Sequence, residues 1–201
     1  ITSIGSKNGK VRQNFIRLDL TEKKNTIKFA EHCDYFEVLI FLVGLAHKKG
    51  LKKDFEEFEM TNCQTLKNLL SSLKKNNKIP KKIIFASTVS IYGEKKDCEE
   101  YLENKSPKPF SPYASTKLNA EEYLKKNYKS KYWILRFAPV YSESFKLNIN
   151  RRTMFGGNFY KVGKISKKLS LCNIENIGLS VVGILKSQIP SDVYNISDKK
   201  E

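Results

Sequence analysis

The 201-residue sequence reads as an α/β protein with a doubly wound parallel sheet, for three reasons. Runs of strand length alternate with amphipathic stretches of helix length, the order that builds a parallel sheet with crossover helices. The run at residues 38–43 is apolar without interruption, as suits a strand covered on two faces. A further short apolar run, residues 82–87, passes directly into hydroxyl residues, and strand ends beside loops are where parallel α/β proteins keep their sites.

Taken in order, residues 14–20 predict a strand ending at Asp19, and a helix follows over about 21–32. After the strand at 38–43, a long helical pattern covers 54–75, with Phe55, Phe58, Cys63, Leu66, Leu69, Leu70 and Leu73 on its inner face. The strand at 82–87 leads into a polar loop that lasts to Pro109. Ser111 is a natural N-cap and Pro112 suits the first helical turn, so a helix starts there and continues through Leu118, Ala120, Glu121, Tyr123 and Leu124. Residues 132–137 form another strand. From 141 to 172 the pattern weakens, broken by Gly156, Gly157 and Gly163, before a helix at 174–187 and a last strand at 192–196. No internal repeat or low-complexity linker stands out.

The chain is long enough for one domain with a real core, or for a domain with a partial second lobe. An apolar fraction of 40% with 11% aromatics describes a folded protein. The formal charge of +16 raises the question of nucleic acid. Lysines are spread along nearly every segment, arginines number only five, and no stripe interleaves aromatics with bases, so a solvated lysine-rich surface is the expectation. Cys33, Cys63, Cys98 and Cys172 never form Cys-x-x-Cys, and only His32 and His47 could complete a zinc site; a reduced, cytoplasmic chain without metal is the economical reading. The longest apolar stretch, residues 38–46, is too short to span a bilayer, and no signal peptide is visible ahead of it.

Two motifs carry chemistry: FASTVSIYG at Phe85–Gly93 and SPYASTK at Ser111–Lys117. Tyr-x-x-x-Lys alone is weak, since it also occurs at Tyr92/Lys96, Tyr101/Lys105 and Tyr160/Lys164. Only Tyr113/Lys117 follows a helix start, which puts the two side chains on one face a turn apart. Thr88, at the preceding strand end, is the hydroxyl that could join them.

With these residues the chain resembles the extended short-chain dehydrogenase/reductases, in their NAD-dependent nucleotide-sugar epimerase/dehydratase branch. Thr88 stands four residues before Tyr92 of SIYG, and Tyr113 and Lys117 follow at a separation similar to the family's. FIRLDLT at Phe15–Thr21, VLIFLVGLA at Val38–Ala46, TNCQTLKNLL at Thr61–Leu70, ILRFAPVYS at Ile134–Ser142 and VYNISD at Val193–Asp198 match in the same order.

The resemblance implies a Rossmann-like domain at 1–140, and at 141–201 part of a substrate lobe with a returning helix and strand. It implies NAD as cofactor, a nucleotide sugar as substrate, and catalysis by Thr88, Tyr113 and Lys117. Lys117 would lower the Tyr113 pKa and bind the nicotinamide ribose. Asp19, Leu20, Leu42, Val43, Gly44, Asn62 and Ser87 would contact the cofactor together with Tyr113 and Lys117; Thr88, Ser90, Arg151 and Arg152 would contact the substrate. Asp19 as a helix-capping carboxylate, Gly44 as a turn residue and the two arginines as solvated charges remain open alternatives. Members commonly form homodimers through the helix bearing the lysine and the helix before it.

Three departures matter. No Gly-x-x-Gly-x-x-Gly is present, so residues 1–4 read as the remnant of a second strand, with the first strand and glycine turn expected to be missing. Pro139 stands where members often carry an asparagine. Val89 and Ser90 follow Thr88 where dehydratases place Asp-Glu, which favours epimerisation, expected at C4 of a UDP-hexose through a keto intermediate. A reductase or dehydratase of the same family, or a non-catalytic dinucleotide- or RNA-binding scaffold, are the alternatives.

Overall fold

In a computed structural model of the chain, residues 2–5, 15–46, 54–93, 100–160 and 170–199 are described. Ser3–Gly5 (β1) and Phe15–Arg17 (β2) pair in parallel, and the chain turns at Asp19 into Lys23–His32 (α1). Val38–Phe41 (β3) precedes a helical run of Phe55–Glu59 (α2), a π-helical turn at Met60–Gln64, and Thr65–Lys75 (α3). Lys82–Thr88 (β4) ends in a 3-10 turn at Val89–Tyr92, and Pro112–Asn127 (α4) leads to Tyr132–Phe137 (β5).

The remaining elements are short until the chain returns to the sheet. Val140–Tyr141 (β6) is followed by Leu147–Thr153 (α5) and by Met154–Phe155 (β7) and Asn158–Phe159 (β8), which form a hairpin. Cys172–Asn173 (β9) pairs with β6; then come Ile174–Leu185 (α6) and Val193–Ile196 (β10).

The main sheet has the order β10–β5–β4–β3, every pair parallel, with Phe85 opposite Phe41 on one side and Ile134 on the other. Helices cover both of its faces, as a doubly wound sheet requires. On one face Phe41, Phe85 and Ile134 meet Ala30 of α1, Leu66, Leu69, Leu70 and Leu73 of α3, and Ala120 and Leu124 of α4. On the other, Ile84, Trp133 and Leu135 meet Ile184 of α6. The returning helix and strand therefore complete this sheet.

Two lysines fasten helices by their ends. Lys78 donates from Nζ to the carbonyls of Ala30, Glu31 and Cys33 at 2.8–3.0 Å, and Lys82 to those of Ile184 and Leu185 at 2.6 and 3.0 Å. Each ammonium meets the unpaired carbonyls and negative dipole end of a helix C-terminus.

Two sequence expectations are corrected. The run at 38–43 is fully covered on one face only: on the other, Val38 packs against the Ile84 and Trp133 cluster but Ile40 and Leu42 are 43% and 69% exposed, β3 being the outer strand of its sheet. Phe55 is exposed rather than internal. It is the first residue of α2, one turn before buried Phe58, where the helical run begins.

Candidate active site

The C-terminal end of β4, the 42–45 segment after β3 and the first turns of α4 form one neighbourhood. Thr88 ends β4 in extended conformation, with its Oγ1 accepting from Ser90 N at 3.1 Å and donating to Ser90 Oγ at 3.1 Å. The predicted cap is present: Ser111 Oγ accepts from Ala114 N at 3.2 Å, with Pro112 in the first turn. This fixes the phase of α4, and its first turn presents the half-buried Tyr113 to Thr88.

Burial pushes the Tyr113 phenol above its ordinary pKa, and the hydrogen bond from the Thr88 side opposes that rise. The expected lowering by Lys117 is absent, for a geometric reason. The Lys117 ammonium, only 3% exposed, is turned onto backbone carbonyls: Nζ donates to Val43 at 3.2 Å and Ala86 at 3.0 Å and lies 4.8 Å from the centre of the Phe85 ring. Burial brings its pKa down to about 8, opposed by the Glu121 carboxylate one helical turn on.

Gly44 makes that placement possible. A Cβ there would stand 2.9 Å from Lys117 Nζ and 3.3 Å from Asn62 Oδ1. Asn62 is fully buried on the π-turn; its Oδ1 accepts from Leu45 N at 2.6 Å and its Nδ2 donates to Thr116 Oγ1 at 3.0 Å. One amide thus ties the strand-end segment to α4, next to Lys117.

The other predicted residues are placed differently. Leu20 is in the core, Leu42 is exposed, and Val43 packs partly against the core. Exposed Asp19 accepts at Oδ1 from Thr21 N and Oγ1 at 2.9 and 2.7 Å, contacts that hold its carboxyl below the usual range; they close a turn ahead of α1, whose N-cap position is Glu22 without a side-chain cap, so Asp19 does not cap the helix. Ser87 is buried and donates to Glu121 Oε1 at 2.5 Å. Arg151 and Arg152 are exposed on α5, where Arg152 Nη1 donates to the Asn148 carbonyl of its own helix.

A buried network beside the site went unforeseen. Arg136 and Glu121 form an ion pair with both side chains inside the protein, and Arg136 Nη1 also donates to Tyr92 Oη at 2.7 Å. Tyr92 in turn donates to Asn195 Oδ1 at 2.9 Å and stacks on Tyr101 with ring centres 4.9 Å apart. The available signal was Arg136 itself, a charge within an otherwise apolar strand, which needs a buried counter-charge. Glu121, four residues after Lys117 on the same helix, is the one that serves.

Chemically, the arrangement offers a phenol beside a threonine hydroxyl, with a buried amine whose pKa burial lowers to about 8 one helical turn along. Such a set can exchange a proton with a bound hydroxyl group. Among the described residues no cluster of metal-binding side chains occurs, and no helix is long and apolar enough to cross a membrane.

Comparison with known proteins bears on this geometry. The sequence model of the "NAD dependent epimerase/dehydratase family" matches residues 2–162. An N-acetyl-alpha-D-glucosaminyl-diphospho-ditrans,octacis-undecaprenol 4-epimerase of Escherichia coli O157:H7 is 30% identical over 170 residues, 81% of this chain and 50% of that protein. An uncharacterised UDP-glucose epimerase of Bacillus subtilis (strain 168), YtcB, is 31% identical over 134 residues, 65% of this chain and 39% of that one. The solved UDP-glucuronic acid 4-epimerase from Bacillus cereus in complex with NAD superposes with a TM-score of 0.72 at 25% identity, covering 93% of this chain and 60% of that one. The chain spans half or less of the length of the two curated relatives.

Proposed function

The chain belongs to the NAD-dependent epimerase/dehydratase family, and from that membership we propose that it serves the NAD-dependent epimerisation of a nucleotide sugar, at C4 of a UDP-hexose, through a keto intermediate. The observation that carries this reading is the meeting of Thr88 with the Tyr113 phenol at the start of α4, with Lys117 buried one turn further on. UDP-sugar and sugar-diphosphate 4-epimerases among its relatives support the carbon chosen.

The residues fit the two ends of NAD. The strand end after β3 is open, with Leu42 and Gly44 exposed, and a side chain at Gly44 would crowd the Lys117 ammonium; this suits the nicotinamide ribose, which Lys117 and Tyr113 would hold. Asp19, exposed at the end of β2, would take the adenosine end. When bound, NAD accepts a hydride from the substrate carbon and returns it.

Tyr113 would take the proton of the C4 hydroxyl as the keto sugar forms and give it back to the inverted product. Thr88 would hydrogen-bond the same hydroxyl and hold it against the phenol, a contribution of orientation. Lys117 would supply a positive charge that favours phenolate, once its ammonium is drawn from the carbonyls of Val43 and Ala86 towards the ribose. Ser90 and the exposed arginines of α5 remain the candidates for the sugar diphosphate, since guanidinium groups suit phosphate oxygens. A homodimer would use α4 and the helical run at 55–75.

The test is to incubate the chain with NAD and UDP-glucose, UDP-N-acetylglucosamine or UDP-glucuronic acid and to resolve product stereochemistry by NMR. Inversion at C4 that is lost in Tyr113→Phe, with NAD binding retained, is the expected result. Inversion that persists in the variant would remove Tyr113 from the mechanism; a reduced or dehydrated product would replace epimerisation with the corresponding reaction.

A further inference from the structure

Between Glu143 and Glu175 the sequence holds seven basic residues and no acidic one. In the described part of this stretch, exposed Lys146, Arg151 and Arg152 flank or belong to α5, and α5 runs directly into the β7–β8 hairpin. The hairpin turns on Gly156 and Gly157, both left-handed at φ 57° and 83°, and a Cβ on either would find nothing within 4 Å. Among the described residues, nothing packs against this turn.

Two phenylalanines occupy that tip. Phe155 and Phe159 are each 82% exposed. Phe155 pairs with Asn158 and Met154 with Phe159, so the two rings point to opposite faces of the ribbon. Apolar rings bare on both sides of a projecting hairpin are costly in water. A flat protein surface could cover only one of them.

We infer that the β7–β8 hairpin is a membrane-docking element, inserting Phe155 and Phe159 into the interface of an anionic phospholipid bilayer while Lys146, Arg151 and Arg152 meet the headgroups. A bilayer receives a narrow tip from both sides at once, which matches the opposed rings. Aromatic and apolar side chains settle at the boundary of headgroups and acyl chains, and neighbouring cations add attraction to anionic lipid. Lys146, Arg151 and Arg152, exposed beside the hairpin, provide the charge complementarity. This inference concerns location at a surface; it competes with the sugar diphosphate only for Arg151 and Arg152, and the two phenylalanines on which its test turns have no part in the reaction proposed above.

The experiment is co-sedimentation of the chain with vesicles of phosphatidylcholine alone and with a 30% share of phosphatidylglycerol, a composition of about physiological surface charge. Binding is expected to the anionic vesicles only, and to fall about tenfold or more in the double variant Phe155→Ser/Phe159→Ser. Because both positions are exposed, unchanged thermal melting is the control for folding. A second readout uses Phe155→Trp, whose emission should shift to the blue with anionic vesicles over the constant background of buried Trp133. The inference is overturned by the absence of sedimentation or of the emission shift. It is equally overturned if the serine variant binds vesicles undiminished, if it changes the oligomeric state in solution, or if the phenylalanines prove to be needed for retention on RNA instead.

Discussion

Arg136 and Glu121 face each other inside the protein through two prongs, Nη2 to Oε2 at 2.7 Å and Nε to Oε1 at 3.1 Å, with the guanidinium side chain 1% and the carboxylate side chain 0% exposed. The pair joins the middle of α4 to β5. It also takes the Ser87 hydroxyl from the strand that ends in Thr88. Three elements that meet at the site are thereby held by one carboxylate.

Replacing Glu121 with Gln should destabilise the fold by about 3–5 kcal/mol, because a buried guanidinium then lacks its counter-charge. Exchange of both partners for methionine should recover much of the loss. Urea denaturation of the two variants measures this; equal destabilisation by the single and the double variant would contradict it.

Asn62→Ala should cost about 1–3 kcal/mol, since Leu45 N loses a buried acceptor and Thr116 a partner. Amide hydrogen exchange at Leu45 should rise more than the global change accounts for. Exchange unchanged at that amide would mean that Asn62 does not tether the strand end.

Lys117 should make stability depend on alkaline pH. Its folded pKa, about 8, lies below the ordinary lysine value of 10.5. The unfolded chain therefore holds a proton on this residue that the folded one has released, and the stability contribution of the group rises as pH goes from about 8 to 10.5, by about 1.4 kcal/mol per unit at most. Below pH 8 the full penalty of burying the ammonium applies. Unfolding free energies of the wild type and Lys117→Met, compared from pH 7 to 10.5, should diverge in favour of the wild type; a constant difference would place the pKa outside that window.

Thr88→Val should lower turnover by about 100-fold with NAD affinity little changed, as expected for loss of a group that orients the proton transfer. Thr88→Ser should restore most of the rate, because it keeps the hydroxyl that faces Tyr113 and Ser90. Equal rates in the valine and serine variants would exclude a role for that hydroxyl.

Sequence alone determined the parts whose causes are local. Apolar runs and helical spacing marked the strands at 82–87 and 132–137 and a helix starting at Ser111–Pro112 and continuing through Leu124, and that cap set the phase that puts Tyr113 and Lys117 on one face; the structure extends the strand to Thr88 and the helix to Asn127. The hydroxyl-rich end of the strand brought Thr88 into the same set, and the family resemblance agreed with it. What tertiary structure decided were contacts between residues far apart in the chain. Lys117 points at the carbonyls of Val43 and Ala86, 74 and 31 positions away, because Gly44 has no side chain to keep it out. Arg136 finds Glu121 because β5 and α4 pack together, and Ile40 is left bare because β3 stands at the edge of its sheet. Periodicity and capping depend on neighbours within a few residues, whereas the partner of a buried charge depends on which elements come to lie side by side.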